Sequence, residues 1–354
     1  AEVLKLIEPI VPAENSQFFK AYGIYKIFHP EVLHAQNITN TLQDKVEFTL
    51  EKEGKVFTQS FTVLEKGKSV PTHRGFVPQS EDWLDARDQS TTPLYLKHLD
   101  KVYYSEYLED EKAVFVRHSR IQDDAEETTK AFYNRVIEEI ESRKAEKLII
   151  DLRLNGGGNN YLNKDVVKAL IKAEQINQVG KLFVIIGRRT FSACQNLVNE
   201  IDNYTKVIFV GEPTAENINF WGDNRPVTLP NSGLDVNLSY LWWQDKPALE
   251  NDEWMAPSLP VTMGFEEYAN NQDPVLQAAL NFDLKDFKPK PMDYVVDLYL
   301  SGQTQKLAEE LPKMMQDPNY AFYDFEKGLI GLGNILVQSG REPQIQASIQ
   351  LFSM

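Results

Sequence analysis

Three stretches of the chain hold residue types that could do chemistry: DLRLNGGGNN (151–160), TFSACQN (190–196) and GEPTAEN (211–217). The first carries Gly156, Gly157 and Gly158 in a row. Without side chains, such a run lets backbone N–H groups approach a ligand closely and permits positive φ. A pair of donors of this kind can hold an oxyanion; the same run also serves as a tight turn between a strand and a helix. Phosphate binding is the weaker reading, because neither G-x-G-x-x-G nor G-x-x-x-x-G-K-[ST] occurs here. The second stretch carries Ser192, which reads in two ways. It could be a nucleophile, or it could cap a helix, since Ser192 and Gln195 make an S-x-x-Q capping box. The two roles are compatible: a serine at a helix start has unpaired N–H groups and a positive dipole end beside it, and both favour developing negative charge.

These stretches need elements to bring them together, and the hydrophobic pattern supplies them. KLIIDLR (147–153), KLFVIIG (181–187) and KVIFVG (206–211) are apolar runs that read as strands. KAVFVRHSR (112–120) is a fourth strand, and residues 124–146, 193–203 and the VVKALIKAE run read as helices. Continuous apolar strands separated by helices indicate a parallel sheet covered on both faces. In such a sheet the C-terminal ends of the strands share one edge, where ligands bind. Each of the three chemical stretches follows one of the apolar strands, so all three are expected at one place.

Outside this block the pattern differs. Residues 1–44 read as mostly helical with two Pro-marked breaks, 45–67 as a β-hairpin and 66–92 as a connecting loop. Short β segments return from 226, in PVTLPNSGLDVNLSYLWW. The end of the chain reads as helix–turn–helix, with SGR (339–341) at the turn. That is similar to half a unit of the tetratricopeptide kind, or to a plain helical cap on the core. The expected division is an N-terminal helical and hairpin region (1–93), an α/β core (94–284) and a helical C-terminal segment (285–354).

Composition limits the partners. The chain has 354 residues, 42% of them hydrophobic and 25% charged, enough to bury a sizeable core. A net charge of −15 argues against nucleic acid and anionic membrane surfaces as partners, and the sequence has no apolar run of membrane-spanning length. The one cysteine, Cys194, excludes an internal disulfide; its place two residues past Ser192 marks a small buried residue on another helix face. No His/Cys/carboxylate spacing suggests zinc or calcium, and no cofactor is expected. The aromatic residues Phe220, Trp221, Tyr240, Trp242 and Trp243 read as core or interface, with a peptide groove as the alternative. The chain starts at Ala1 without a signal-peptide pattern, so it is expected to be processed or a fragment.

In combination, DLRLNGGG (151–158), SACQ (192–195), GEPT (211–214) and DPVLQAAL (273–280) resemble the C-terminal processing peptidases, or tail-specific proteases, and the related tricorn core. The resemblance covers about residues 94–282, and TLPNSGL (228–234) is similar to a bacterial envelope or secreted subgroup. It implies a ClpP/crotonase-like α/β fold and a serine-type peptidase acting on peptide or protein substrates in the periplasm or outside the cell. Ser192 would be the nucleophile, with the Ala193 N–H and Gly157 as the oxyanion hole.

The departures from the family pattern fall on the general base. The lysine of many such peptidases falls on Asn217, which cannot take a proton near neutral pH, and an associated helix carboxylate falls on Asn203, beside Asp202. Glu216 stands where the family has a small residue. The tricorn branch uses a histidine and a later glutamate, for which ALENDEWMAP (248–257) offers Glu250. The upstream G-D-x-H-T-like motif that would carry the histidine is not in the chain. Of the five histidines, His118 is the one on a core strand and is the candidate base within the chain; His29, His34, His73 and His98 read as surface or loop residues. Two other functions compete with the peptidase: a peptide-binding or scaffold protein that has lost its base, recruiting a protein partner or a second copy through the C-terminal helices, and a coenzyme-A enzyme of the crotonase type.

Overall fold

The computed structural model describes residues 2–352 except 43, 66, 67, 69, 71–82 and 286; His73 and most of the expected 66–92 loop lie outside the described residues. The N-terminal part is three short helices, α1 (Glu2–Ile7), α2 (Ser16–Tyr22) and α3 (Pro30–Ala35), joined by 3-10 turns. The first hairpin follows, with β1 (Lys45–Lys52) and β2 (Lys55–Thr62) paired antiparallel around Glu53 and Gly54, both at positive φ.

The central sheet is mixed. Its strands are β3 (Tyr103–Leu108), β4 (Ala113–His118), β5 (Lys147–Asp151), β6 (Leu182–Ile186), β7 (Ile208–Gly211) and, after a second hairpin, β10 (Leu259–Pro260). Their order is β10-β7-β6-β5-β4-β3; only β3 runs antiparallel to its neighbour, and the other pairings are parallel. The crossovers from β4 to β7 are α4 (Thr129–Arg143), α5 (Asn163–Lys172) and α6 (Ala193–Tyr204). The second hairpin, β8 (Asn219–Thr228) and β9 (Asp235–Gln244), is longer than the segments expected from the sequence.

Alternation along the strands sends side chains to two apolar layers. Val114, Val116, Leu148, Ile150, Leu182 and Val184 pack with the faces of α4, α5 and α6. Phe115, Ile149, Phe183, Ile185, Ile208 and Val210 face the other way, against α8 (Pro274–Leu280) and the C-terminal helices; a short helix, α7 (Phe265–Ala269), precedes α8. Among those C-terminal helices, α9 (Pro291–Leu300), α10 (Thr304–Gln316) and α11 (Phe325–Gln338) contribute Val295, Leu298, Leu307, Leu311 and Phe325 to this second layer. The last helix, α12 (Glu342–Phe352), pairs with α11 across the SGR turn. No described helix is long and apolar enough to cross a membrane.

Helix α4 starts later than the 124 expected from the sequence. Asp123 and Asp124 spend their carboxylates on the N–H groups of Thr129 and Val102, which holds the chain in a loop until Thr128 caps the helix.

Candidate active site

The C-terminal ends of β5, β6 and β7 lie side by side, and the three chemical stretches leave from them. Asn155 ties them together. Its backbone oxygen accepts the Phe191 N–H at 3.1 Å, its Oδ1 accepts the Gly157 N–H at 3.0 Å, and its Nδ2 donates to the His118 carbonyl at 2.9 Å. Thr190 adds a bond from its Oγ1 to the Leu152 carbonyl, and the Ala215 N–H donates to Thr190 O. Gly157 must be glycine: at φ +98° an added Cβ would stand 2.8 Å from Ser192 Cβ and 2.9 Å from the Ala193 nitrogen.

Ser192 occupies the turn between β6 and α6 at φ 55°, ψ −129°, a conformation unfavourable for a residue with a Cβ. Its side chain makes no capping hydrogen bond. The capping box expected from the sequence is therefore not formed. A capping serine needs an extended backbone to aim its oxygen at the helix, and Ser192 is turned away from that geometry. Gln195 donates its Nε2 to Asn199 Oδ1 instead of reaching back, and the Ser192 N–H is taken by Glu216 Oε2 at 3.2 Å.

The first turn of α6 then leaves one donor over. The N–H groups of Cys194, Gln195 and Asn196 bond to the carbonyls of Phe191 and Ser192. The Ala193 N–H has no partner among the described residues, and it lies beside Ser192 and Gly157 at the positive end of the helix. The Ser192 hydroxyl, partly exposed, also makes no hydrogen bond among the described residues. A serine hydroxyl beside an unpaired backbone donor, on a strained strand-to-helix turn, is an arrangement suited to acyl transfer.

The structure thus brings Gly157, Ser192 and Ala193 together, while His118 and Glu250 are not bonded to them. His118, at the end of β4, is fully buried: Nδ1 meets the Tyr133 hydroxyl at 3.0 Å, the Tyr103 ring stands edge-on, and Nε2 has no partner among the described residues. Burial lowers its pKa to about 4, opposed by a backbone hydrogen bond at Arg120. Glu250 is exposed, in a loop that Asn219 holds by its amide through the Pro247 and Glu250 carbonyls. Asn217 Oδ1 is buried without a partner among the described residues, and Asn203 and Asp202 both accept from Lys246 Nζ, at 2.7 and 2.5 Å. His34 bonds the Thr39 carbonyl, and His98, at φ 51°, packs on Tyr104. Cys194 is buried and its thiol pKa is raised well above the ordinary value by burial. Among the described residues no cluster of His, Cys, Asp and Glu could hold a metal ion.

No family model matches the chain, and no curated protein matches it. Solved structures with partial likeness include proteases. A protein from Bacteroides fragilis assigned as an S41 protease is 13% identical over 67% of this chain and 64% of its own, with a TM-score of 0.37. The photosystem II D1 C-terminal processing protease is 18% identical over 48% of this chain and 46% of its own, with a TM-score of 0.32. Mature CPAF is 12% identical over 73% of each chain, with a TM-score of 0.40. The chain thus spans about two thirds or less of the first two, and its chemistry is read from its own residues.

Several parts of the site were not marked in the sequence. The Asn155 hub is one, although an Asn before a glycine run is a signal for a side-chain-to-backbone turn. Helix α2 is another. Phe18 packs on Phe191 at 5.1 Å and on Tyr22 at 4.7 Å, Arg189 lies over the Tyr22 ring and donates to the Tyr25 hydroxyl, and Asn15 Nδ2 donates to the Thr214 and Glu253 carbonyls. Apart from Phe18–Tyr22, these contacts join residues 164 to 238 apart in the chain, and nothing in the local pattern of 14–25 points to them. Arg153 links two of the sequence motifs, taking Asp151 on one side and Asp273 on the other. Of the aromatic residues singled out, Phe220 is buried, whereas Trp221 and Trp242 pair on the exposed hairpin at 5.4 Å.

Proposed function

We propose that this protein is a serine-type peptidase of the ClpP/crotonase-like kind, with residues 94–284 as its core and an extracytoplasmic place of action. The observation that carries the reading is the Ser192 turn: a strained serine that does not cap its helix, next to an unpaired Ala193 N–H and a glycine that cannot be replaced without striking both. In the reaction, Ser192 Oγ attacks the carbonyl carbon of a peptide bond and gives up its proton. The carbonyl oxygen takes the negative charge against the Ala193 N–H and the start of α6. Gly157 adds a second donor when its N–H leaves Asn155 Oδ1, and its missing side chain makes room for the substrate carbonyl. Collapse of the tetrahedral species expels the amine, which takes up a proton, and water then hydrolyses the acyl-enzyme.

The proton acceptor is a group other than those bonded around Ser192. His118 is committed to the core, and Asn217 has no basic atom. Glu250 is the carboxylate proposed to orient the base. The test is cleavage of casein by the full-length protein, wild type against Ser192→Ala, with mass spectrometry of an acylating serine probe locating its adduct. Cleavage and a Ser192 adduct in the wild type, both lost in Ser192→Ala, are expected. Equal cleavage by the two proteins would overturn the reading.

A further inference from the structure

Glu216 follows GEPTA at a position where its carboxyl is carried under Ser192, and only 2% of the residue is exposed. Oε2 accepts the Ser192 N–H at 3.2 Å, and Oε1 is buried with no N–H or hydroxyl donor among the described residues. A second carboxyl, that of the exposed Glu14, lies within hydrogen-bonding reach of the Glu216 carboxyl. Glu14 directly precedes Asn15, whose Oδ1 caps α2 by accepting from Gln17 and Phe18 N–H and whose Nδ2 holds the Thr214 and Glu253 carbonyls. Two carboxylates so placed repel each other, and one proton between them turns the repulsion into a hydrogen bond. An acceptor is needed at Oε2, for the Ser192 N–H, and a donor toward Glu14. A neutral carboxylic acid meets both requirements and a carboxylate meets only the first.

We propose that Glu216 is a positioning residue for Ser192: a neutral acid that accepts the Ser192 N–H and donates its own proton to Glu14, locking the segment before α2 onto the strained turn. Its importance for turnover rests on the reading of Ser192 as nucleophile; the lock itself does not. The surrounding charges fit. Burial first, and then Glu14, raise the Glu216 pKa to about 10, with the Ser192 N–H opposing them. Of the other groups packed around the turn, Arg189 is engaged by Tyr22 and Tyr25, and the 253 position presents its backbone carbonyl to Asn15. The sign follows from linkage. A carboxyl whose folded pKa lies above its free value of 4.5 binds its proton more tightly when folded, so the stability held at low pH is lost progressively as pH rises from there toward about 10. Within that window the folding equilibrium constant changes by up to about tenfold per pH unit relative to a variant without the ionisable group.

The experiment compares wild type, Glu216→Gln and Glu216→Ala in the full-length protein. Gln keeps both an acceptor for Ser192 and a donor for Glu14, whereas Ala removes both. With carbon-13-labelled glutamate, the wild type is expected to show one carboxyl signal still at the neutral-acid position at pH 7, absent from Glu216→Gln. Hydrogen exchange of the peptide spanning Ser192 should speed up about tenfold in Glu216→Ala, the loss of one buried hydrogen bond, and stay near the wild-type rate in Glu216→Gln. All glutamate signals ionised at pH 7, or exchange in Glu216→Ala as slow as in the wild type, would overturn the proposal. If Glu216→Ala does not fold, the carboxyl signal and the Gln comparison still decide. Peptidase activity surviving in Ser192→Ala would remove the nucleophile reading and leave the lock standing; a dead Ser192→Ala beside a carboxyl fully ionised at pH 7 would do the reverse.

Discussion

Replacing Ser192 by alanine and by glycine tells a capping serine from one that does not cap through stability, and turnover tells whether it is catalytic. A capping serine loses about 1 kcal/mol on change to alanine and only a few tenths on change to glycine. Ser192 makes no capping bond, so Ser192→Ala removes none and should stay within about 0.5 kcal/mol of wild type. Its backbone, at φ 55° and ψ −129°, carries strain of about 2 kcal/mol that glycine relieves. Glycine also adds freedom to the unfolded chain, which takes back up to about 1 kcal/mol. The net expectation for Ser192→Gly is a gain of about 1 kcal/mol. Turnover should fall in both variants by roughly three orders of magnitude or more, as for loss of a nucleophile. Urea unfolding of the three proteins, with casein cleavage alongside, measures both quantities. A Ser192→Ala variant about 1 kcal/mol less stable than wild type, with Ser192→Gly between them, would refute the reasoning and return Ser192 to the role of helix cap.

Gly157→Ala should destabilise the protein by about 3 kcal/mol, since a Cβ there meets Ser192 and Ala193 below contact distance at positive φ; a melting temperature equal to wild type would contradict this. Asn155→Ala leaves the Gly157 N–H and the His118 carbonyl without their partner and should cost about 2 kcal/mol, read from urea midpoints. His118 has a folded pKa of about 4 against a free value of 6.5, so the unfolded chain binds the extra proton and stability falls as pH drops from 6.5 to 4, by roughly 3 kcal/mol in all. His118→Gln should flatten that part of the stability–pH curve, and an unchanged curve would rule the mechanism out.

The sequence by itself determined the α/β alternation. Strands such as KLIID and LFVII are apolar on both faces, and that is legible because a strand buried between helix layers has no polar side to alternate with. It also placed Gly157, Ser192 and Ala193 at one sheet edge, because residues that directly follow neighbouring parallel strands have nowhere else to go. Three things waited for the tertiary structure. The capping box and the strained turn share the letters S-x-x-Q; which one forms depends on φ and ψ at Ser192, set by Asn155 and Glu216 from distant stretches. His118 looks the same in sequence whether it faces solvent or Tyr133, and only packing withdrew its ring into the core. The lock at Glu216 is a contact between residues 14 and 216. Local pattern reports spacing along one element, whereas an interaction across 202 positions exists only once the sheet has brought the N-terminal segment to the Ser192 turn.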